Sequence, residues 1–368
     1  MECRGLIYQT HHVIAMNEED SSLDWNKRGN PTLNIMRKKT VFLFLGFLLF
    51  CSRVGASELS LKLYGGASWI QGGDLNKNIQ GWENFFSNRN VSPYSASYDL
   101  KELHILWERG GEIIYNLSPR FSIAFGLEIV TGKTKGELSS RLIQEQDYFN
   151  SPEDFGTVYL DEQTLQQPEY KLQAIPVTLT FYYSFPVGKG VRFFLGCGGG
   201  YYFGKITFEE DYQYDFNYRD DKNSSGSLLQ YVNQYYSSGT YSEESTSKAF
   251  GVHGRWGVEL EIRESLHFLI EVVGRWVDFG NWKGSKNDIY DWEHIWGFWG
   301  SNSDSGSSEE VSEGKLWMVD FISDETGKSY PRFVFSEERP ASASYAGARE
   351  AKINLSGFTV RLGFKMSF

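Results

Sequence analysis

The feature that most constrains the fold is a strict alternation of apolar and polar residues at the end of the chain. The last residues read INLSGFTVRLGFKMSF, positions 353–368. From residue 358 onward every second side chain is apolar, namely Phe358, Val360, Leu362, Phe364, Met366 and Phe368. A period of two places all of them on one face of a β-strand. The rest of the chain must therefore show which solvent that apolar face meets.

The same alternation recurs along the chain. It is found in eight segments: 59–69, 103–117, 120–132, 172–185, 191–208, 249–263, 266–279 and 358–368. The second segment is irregular, because the frame that turns Ile113 outward also turns Arg109 outward. A bulge near residues 108–112 would re-aim that arginine, and a position near the membrane interface would also accommodate it.

Connections between these segments alternate in length. Short links join segments two and three, four and five, and six and seven, whereas long links span about 70–102, 133–171, 209–248 and 280–352. Short periplasmic turns, long extracellular loops and an even strand count are typical of transmembrane barrels. Closure also satisfies every backbone group in hydrocarbon. The sequence predicts an all-β fold: an eight-stranded antiparallel up-and-down transmembrane β-barrel over residues 57–368.

The start of the chain carries an export signal. Residues 36–56 combine a basic stretch, a short apolar run and a small-residue cleavage site ending at Ala56, which is the pattern of a signal peptide. Residues 1–35 are polar and are expected to be an extension or a mis-assigned start before Met36. No apolar run is long enough for a helical span, so a helical membrane protein is excluded. After cleavage Cys197 is the one cysteine left, so no internal disulfide is expected.

The chain resembles the small eight-stranded outer-membrane barrels of the OmpA/OmpX/OmpW-like group. The resemblance covers about 57–368 and rests on the strand pattern, the signal peptide, the terminal GFKMSF, and AIPVTLTFYYSF followed by PVGKGVRFFLGCGGGYYF. It implies that Phe364, Met366 and Phe368 are the signal read by the outer-membrane assembly machinery. It also implies, weakly, passage of small hydrophobic compounds.

Polar residues between the apolar ones would line the barrel interior. They form a predicted charge network of Lys62, Glu112, Glu128, Arg192, Arg255, Glu259, Glu261, Glu271, Arg275, Arg361 and Lys365. Charges inside a membrane protein face the interior and pair there, and eight strands enclose only enough room for side chains. A salt-bridged plug is therefore expected. The alternative is a narrow pore past the glycines of the fifth segment.

An enzymatic role was tested against the deacylase pattern found in some barrels, a His two residues before a Ser. No His-x-Ser exists in the chain. His253 and His267 fall on the inward face of adjacent strands, where a hydrogen-bonded pair or a proton-sensitive latch is expected. Cys197 falls on the lipid side, where a thiol stays protonated. A non-enzymatic protein is expected.

The long connections are acidic and account for most of the net charge of −11. Residues 288–300 carry tryptophans at helical spacing, residues 300–314 read as a flexible linker, and residues 315–338 read as a hairpin around 325–327. Solubility and hydration are the expected role of these acidic loops. The alternative is binding of a surface ligand or a divalent cation, although no segment has the spacing of a calcium loop.

These observations lead to a prediction of function. We expect a non-enzymatic outer-membrane barrel with a structural or surface-interaction role, or alternatively a narrow channel or binding site for small, possibly hydrophobic, solutes. No cofactor and no nucleic acid are expected, since basic blocks and Cys/His clusters are missing. The expected partners are the lipid bilayer and the assembly machinery, and the expected state is a monomer.

Overall fold

The computed structural model describes residues 59–90, 92–151, 154–224, 227–324 and 326–368. The predicted signal peptide (36–56) and the segment before it lie outside the described residues. All described residues belong to the second of two compact units, which runs from Ala56 to Phe368.

This part of the chain holds sixteen β-strands and one helix. They are β1 (Leu59–Ile70), α1 (Asp74–Arg89), β2 (Tyr94–Tyr98), β3 (Ile105–Asn116), β4 (Phe121–Lys135), β5 (Leu138–Ser151), β6 (Asp154–Gly188), β7 (Val191–Ser224), β8 (Ser227–Arg263), β9 (Leu266–Trp276), β10 (Asp278–Phe279), β11 (Lys283–Phe298), β12 (Asn302–Ile322), β13 (Ser329–Ser336), β14 (Tyr345–Glu350), β15 (Ile353–Asn354) and β16 (Gly357–Ser367). The all-β antiparallel class is as predicted, but the count of eight strands is wrong. Within the described residues, no helix combines the length and the apolar character needed to cross a membrane.

Eight of the strands are linked by a circuit of antiparallel pairings. β1 pairs with both β3 and β16. From β3 the pairings pass through β4, β6, β7, β8 and β9 to β16, and so return to β1. Each of the eight alternating segments coincides with, or closely overlaps, one of these strands. The alternation of apolar and polar residues in the sequence thus identified all eight strands of this circuit.

The remaining strands lie in the segments that were predicted as loops. β6, β7 and β8 are 35, 34 and 37 residues long, whereas a tilted crossing of a bilayer takes about 9–11 residues. β5 pairs with the far half of β6, and β11 pairs with the far half of β8. The predictions of long loops at 133–171 and 209–248 are therefore wrong. Hydrogen bonding to neighbouring strands maintains the sheet there although both faces carry polar residues.

Two details of the last predicted loop are corrected and one is confirmed. Residues 288–298 belong to the strand β11 rather than to a helix, and residues 302–314 belong to β12 rather than to a flexible linker. Each finds a long partner strand, and that pairing outweighs the local preference. The hairpin is present, with β12 paired to β13 from Lys315↔Ser336 to Ile322↔Ser329.

In the eight-strand circuit, apolar side chains face outward and charged side chains face inward, which is the reverse of a soluble protein. In β16 the apolar Phe358 and Leu362 are 52% and 53% exposed, while Arg361 between them is 1% exposed. Such an outward apolar face is much larger than the patches that monomeric soluble proteins leave exposed. The charged residues turn inward instead.

A conventional apolar core lies at one end of the circuit, where residues of the circuit strands pack against the elements beyond them. Helix α1 contributes Leu75, Ile79 and Phe86 to it, and Phe279 and Trp282 pack in the same cluster. The helix approaches β13 so closely that a Cβ added at Gly81 would lie 1.9 Å from the carbonyl oxygen of Pro331. This core fixes α1 and β13 beside the long strands. The first predicted loop, 70–102, therefore contains a packed helix that the sequence did not reveal.

Candidate functional site

Most of the charged residues predicted to face the barrel interior are buried together. Nine of them are at most 8% exposed, namely Lys62, Glu112, Glu128, Arg255, Glu259, Glu271, Arg275, Arg361 and Lys365. Arg192 and Glu261 are exposed instead, beside the short connections of β7 and β8. Both residues lie at strand ends, where neighbouring strands no longer cover their side chains.

The buried charges form ion pairs across the circuit. Lys62 Nζ lies 2.9 Å from Glu271 Oε1 and 3.3 Å from Glu112 Oε2. A guanidinium nitrogen of Arg361 lies 2.9 Å from Glu128 Oε2, and Lys365 Nζ lies 3.0 Å from Glu259 Oε1.

Arginines link this network further. Arg255 pairs with both Glu112 and Glu128, and Tyr182 donates a hydrogen bond to Glu112 at 2.8 Å. A cavity of about 10 Å³ lies between Lys62, Tyr182, Glu259 and Lys365, which is room for about one water molecule.

One central member of the network was missed from the sequence. Glu108 is 4% exposed and pairs with Arg275 and Arg361. Its spacing of four residues from Glu112 on β3 places both on the same face, and that signal was available. The neighbouring Arg109 is exposed, and β3 pairs with β1 and β4 without a register shift, so the predicted bulge is absent from this strand.

The two histidines and the terminal aromatic residues lie as follows. His253 pairs in register with Arg275, whereas His267 pairs with Glu261 near the other end of the strands, so the predicted histidine pair is wrong. His253 Nε2 lies 2.9 Å from Thr180 Oγ1. Phe364 and Phe368 are exposed and Met366 is half-buried on the outward side of β16.

A second group of titratable side chains, buried or half-buried, lies beyond the apolar band, on β7, β8 and β11. It consists of Glu210, Tyr212, Tyr241, Glu243 and Asp288, and we call it the outer carboxyl cluster. In register, Tyr241 lies opposite Glu210 on one side and opposite Asp288 on the other. Glu243 is two residues from Tyr241 on the same face, so Glu210 and Glu243 are diagonal neighbours, a relation that separates positions by about 7–8 Å.

Hydrogen bonds join the members of the outer carboxyl cluster. The hydroxyl of Tyr241 donates to Glu243 Oε2 at 3.3 Å, and Ser245 Oγ donates to Glu243 Oε1 at 3.1 Å. The hydroxyl of Tyr212 donates to Asp288 Oδ1 at 3.2 Å. Gly239 leaves room for this contact, because a Cβ there would lie 2.3 Å from a backbone oxygen of β11 and 2.8 Å from the Tyr212 hydroxyl.

Burial changes the acidity of the cluster. It raises the pKa of Glu210 to about 7, although Arg332 opposes the change, and it raises the pKa of Glu243 to about 7 against the opposing hydrogen bonds of Ser245 and Tyr241. Burial also raises the pKa of Asp288. The cluster therefore holds two carboxyl groups that are each partly protonated near neutral pH. Carboxyl groups in that state can donate and accept protons.

Aromatic side chains continue the same sheet face away from the membrane band. The rings of Tyr214 and Tyr235 are 6.1 Å apart, those of Tyr235 and His294 are 6.1 Å apart, and those of His294 and Trp296 are 4.5 Å apart. We call these four residues the aromatic wall. In the part of the chain that the structure describes, no group of three or more His, Cys, Asp and Glu residues is placed to hold a metal ion.

Sequence reasoning did not find the outer carboxyl cluster. The acidic residues of 209–248 were interpreted as side chains that hydrate a loop. Glu210 and Tyr212, however, are two residues apart, as are Tyr241 and Glu243, which is the period of a strand. That period was the available signal.

Comparisons with known proteins gave one kind of match. No family model matches the chain, and no curated protein matches it. Among solved structures the chain is similar to the outer membrane protease OmpT from Escherichia coli, with 10% sequence identity, a TM-score of 0.21, and coverage of 85% of this chain and 94% of that chain.

These findings correct three predictions. The assignment to the small eight-stranded OmpA/OmpX/OmpW-like group is wrong, since the described residues hold sixteen strands. The predicted non-enzymatic role and its channel alternative are contradicted, since the match is to an enzyme; the match itself assigns no activity to this chain. The predicted porin-like and OmpW-like properties fall with that assignment.

Proposed function

We propose that this protein is an outer-membrane β-barrel in which β1, β3, β4, β6, β7, β8, β9 and β16 cross the lipid. Their circuit of pairings leaves no free edge, which hydrocarbon requires. Their apolar side chains face outward and their charges pair inside, as in Arg361 and Glu128. Export through residues 36–56, insertion by the assembly machinery and a monomeric state complete this proposal.

We further propose that the protein is a hydrolase, with the outer carboxyl cluster as its active site. The observation that carries this proposal is the pair of buried carboxyl groups, Glu210 and Glu243, on one face of adjacent strands with pKa values of about 7. A catalytic acid and base work best when their pKa values lie near the working pH. Burial of two carboxyl groups costs stability, and catalytic sites are a common reason for retaining such groups.

The proposed reaction is hydrolysis of a peptide bond. One carboxylate takes a proton from water, whose oxygen attacks the carbonyl carbon, and the protonated carboxyl group gives its proton to the leaving nitrogen as the carbon–nitrogen bond breaks. The hydroxyls of Tyr212 and Tyr241 can stabilise the oxyanion formed at the carbonyl once they release their present hydrogen bonds to Asp288 and Glu243. Burial raises the pKa of both hydroxyls, so they keep their protons at neutral pH.

A second candidate substrate is a glycan. The aromatic wall favours it, because tyrosine and tryptophan rings offer flat faces on which sugar rings can stack, and hydrolysis of a glycosidic bond uses a pair of carboxyl groups as well. The outcome of an assay on both substrate types decides between them.

The test is hydrolysis of a fluorogenic peptide library and of labelled oligosaccharides by the protein refolded in lipid vesicles. Glu210→Gln and Glu243→Gln should each lower kcat by at least about 100-fold, the usual contribution of general acid–base catalysis. Glu313→Gln, at an exposed glutamate of β12, is the matched control. Unchanged hydrolysis in both active-site variants would exclude the outer carboxyl cluster as the catalytic centre.

The pH profile offers an independent check. Because one carboxyl group must be protonated and the other ionised, and both pKa values are about 7, kcat/KM should peak near pH 7 and fall on either side. Two ordinary carboxyl groups would instead give a maximum near their usual pKa values of about 4. A maximum in that acidic range would contradict the assignment.

A further inference from the structure

Arg332, on β13, is enclosed by aromatic rings of helix α1. The carbon of its guanidinium group lies 3.1 Å from the centre of the Trp82 ring and 5.2 Å from that of Phe85. The residue is only 7% exposed. Phe333, the next residue, anchors the strand to the helix through a hydrogen bond from its backbone nitrogen to Asn78 Oδ1 at 2.8 Å. The guanidinium is therefore held in a fixed place.

The donors of this guanidinium are not all used by the protein. Its Nε and Nη1 atoms are buried and have no hydrogen-bond partner among the described residues. Arg332 also forms no ion pair within that part of the chain, in contrast to Arg255 or Arg361 in the barrel interior. A buried cation without hydrogen bonds is strongly unfavourable, so a residue of this kind calls for an explanation.

The position of Arg332 relates it to the outer carboxyl cluster. Tyr170 of β6 lies opposite Phe208, which is two residues from Glu210 on the same face of β7, and the charge of Glu210 opposes the lowering of the pKa of Arg332. Tyr170 is fixed by a hydrogen bond from Asn78 at 2.8 Å. Burial lowers the pKa of Arg332 to about 9, which still leaves the side chain cationic at neutral pH. A fixed cation thus stands next to the proposed catalytic acid.

We propose that Arg332 is a specificity residue that binds an oxyanion group of the substrate, a carboxylate or a phosphate, next to Glu210. This inference rests on the proposed function, since it names the chemical class of substrate that the same site takes. An anionic group would supply acceptors for the two unused donors. Arginine is well suited to this role because its guanidinium hydrogen-bonds planar anions while it stacks on aromatic rings.

Direct binding tests the proposal without requiring catalysis. Full-length protein in detergent micelles is titrated by calorimetry, at constant ionic strength, with N-acetylglutamate, with uncharged N-acetylglutamine and with inorganic phosphate. We expect binding of at least one anionic probe and at least about tenfold weaker binding of N-acetylglutamine. Preference for N-acetylglutamate identifies a carboxylate as the group recognised, and preference for phosphate identifies a phosphoryl group.

Variants separate the contribution of Arg332 from general effects. Arg332→Met should weaken binding of the preferred anion at least about tenfold, whereas Arg263→Met, at the exposed last residue of β8, should not. Arg332→Lys keeps the charge and serves if the methionine variant does not fold. It should bind more weakly than the wild type, because it loses the planar fork.

The outcomes are distinct from those of the hydrolase assay. Glu210→Gln abolishes hydrolysis if the proposed function is right, yet it should retain anion binding. If anions bind but no substrate is cleaved, the hydrolase proposal fails and the binding site stands. Absence of binding of both anions, binding of N-acetylglutamine as tight as that of the preferred anion, or unchanged binding in Arg332→Met would overturn the inference.

Discussion

Replacing Glu210 by glutamine should change how the stability of this protein depends on pH. Burial raises the pKa of the folded-state carboxyl group from 4.5 to about 7. Between these two pH values the folded state binds more protons than the unfolded state, so the free energy of unfolding falls as pH rises. The full effect is the pKa difference of about 2.5 multiplied by 1.36 kcal/mol, which is about 3 kcal/mol. Glutamine does not titrate and should remove this loss.

Urea unfolding of protein refolded in lipid vesicles, followed by tryptophan fluorescence, measures the effect at pH 4 and pH 8. Relative to the wild type, Glu210→Gln should gain about 3 kcal/mol between pH 4 and pH 8. For the exposed control Glu313→Gln, the free energy of unfolding should differ from that of the wild type by the same amount at both pH values. Parallel curves for Glu210→Gln would show that its carboxyl group titrates as an ordinary glutamate, and the acid–base argument for the outer carboxyl cluster would then be refuted.

Three further substitutions test other parts of the structure. Arg255→Met leaves two buried carboxylates with fewer partners and should cost about 3–5 kcal/mol, read as a lower urea midpoint. Gly239→Ala places a Cβ 2.3 Å from a backbone oxygen and should lower kcat, whereas Gly280→Ala, with nothing within 4 Å, should not. Gly81→Ala should push α1 away from β13 and speed amide hydrogen exchange in the helix, while Gly254→Ala, also in open space, should leave that exchange unchanged.

The sequence revealed the strands of the circuit because lipid imposes a simple rule on them. Every second residue must be apolar, as in Phe358 and Leu362, and the charges between them, such as Arg361, must turn inward. No such rule acts beyond the membrane band. There both faces of β6, β7 and β8 meet water or other polar groups, so the alternation fades although the hydrogen-bonded pairing continues.

The candidate site was hidden for a related reason. Glu210 and Glu243 are buried only because β7 and β8 continue outward and β11 pairs with β8 from a distant part of the chain. Arg332 is buried only because α1 packs against β13, and the polar sequence of α1 gives little sign of a helix. Local pattern cannot show which distant segments come together. The interior charges were easier to predict from the sequence, since the strand period alone determines which face of the sheet they lie on.

The length of the paired strands sets the height at which chemistry can occur. Glu210 lies seven residues beyond Phe203, the last outward apolar residue of β7, which at about 3.3 Å per residue is about 23 Å along the strand. An unbroken antiparallel ladder is stiff, so this distance changes little as the membrane fluctuates. If the outer carboxyl cluster is the proposed active site, the bond to be cleaved must lie well clear of the lipid. Acyl chains and membrane-embedded segments would be excluded as substrates. The site would select substrates by how far they extend from the membrane, before any contact is made.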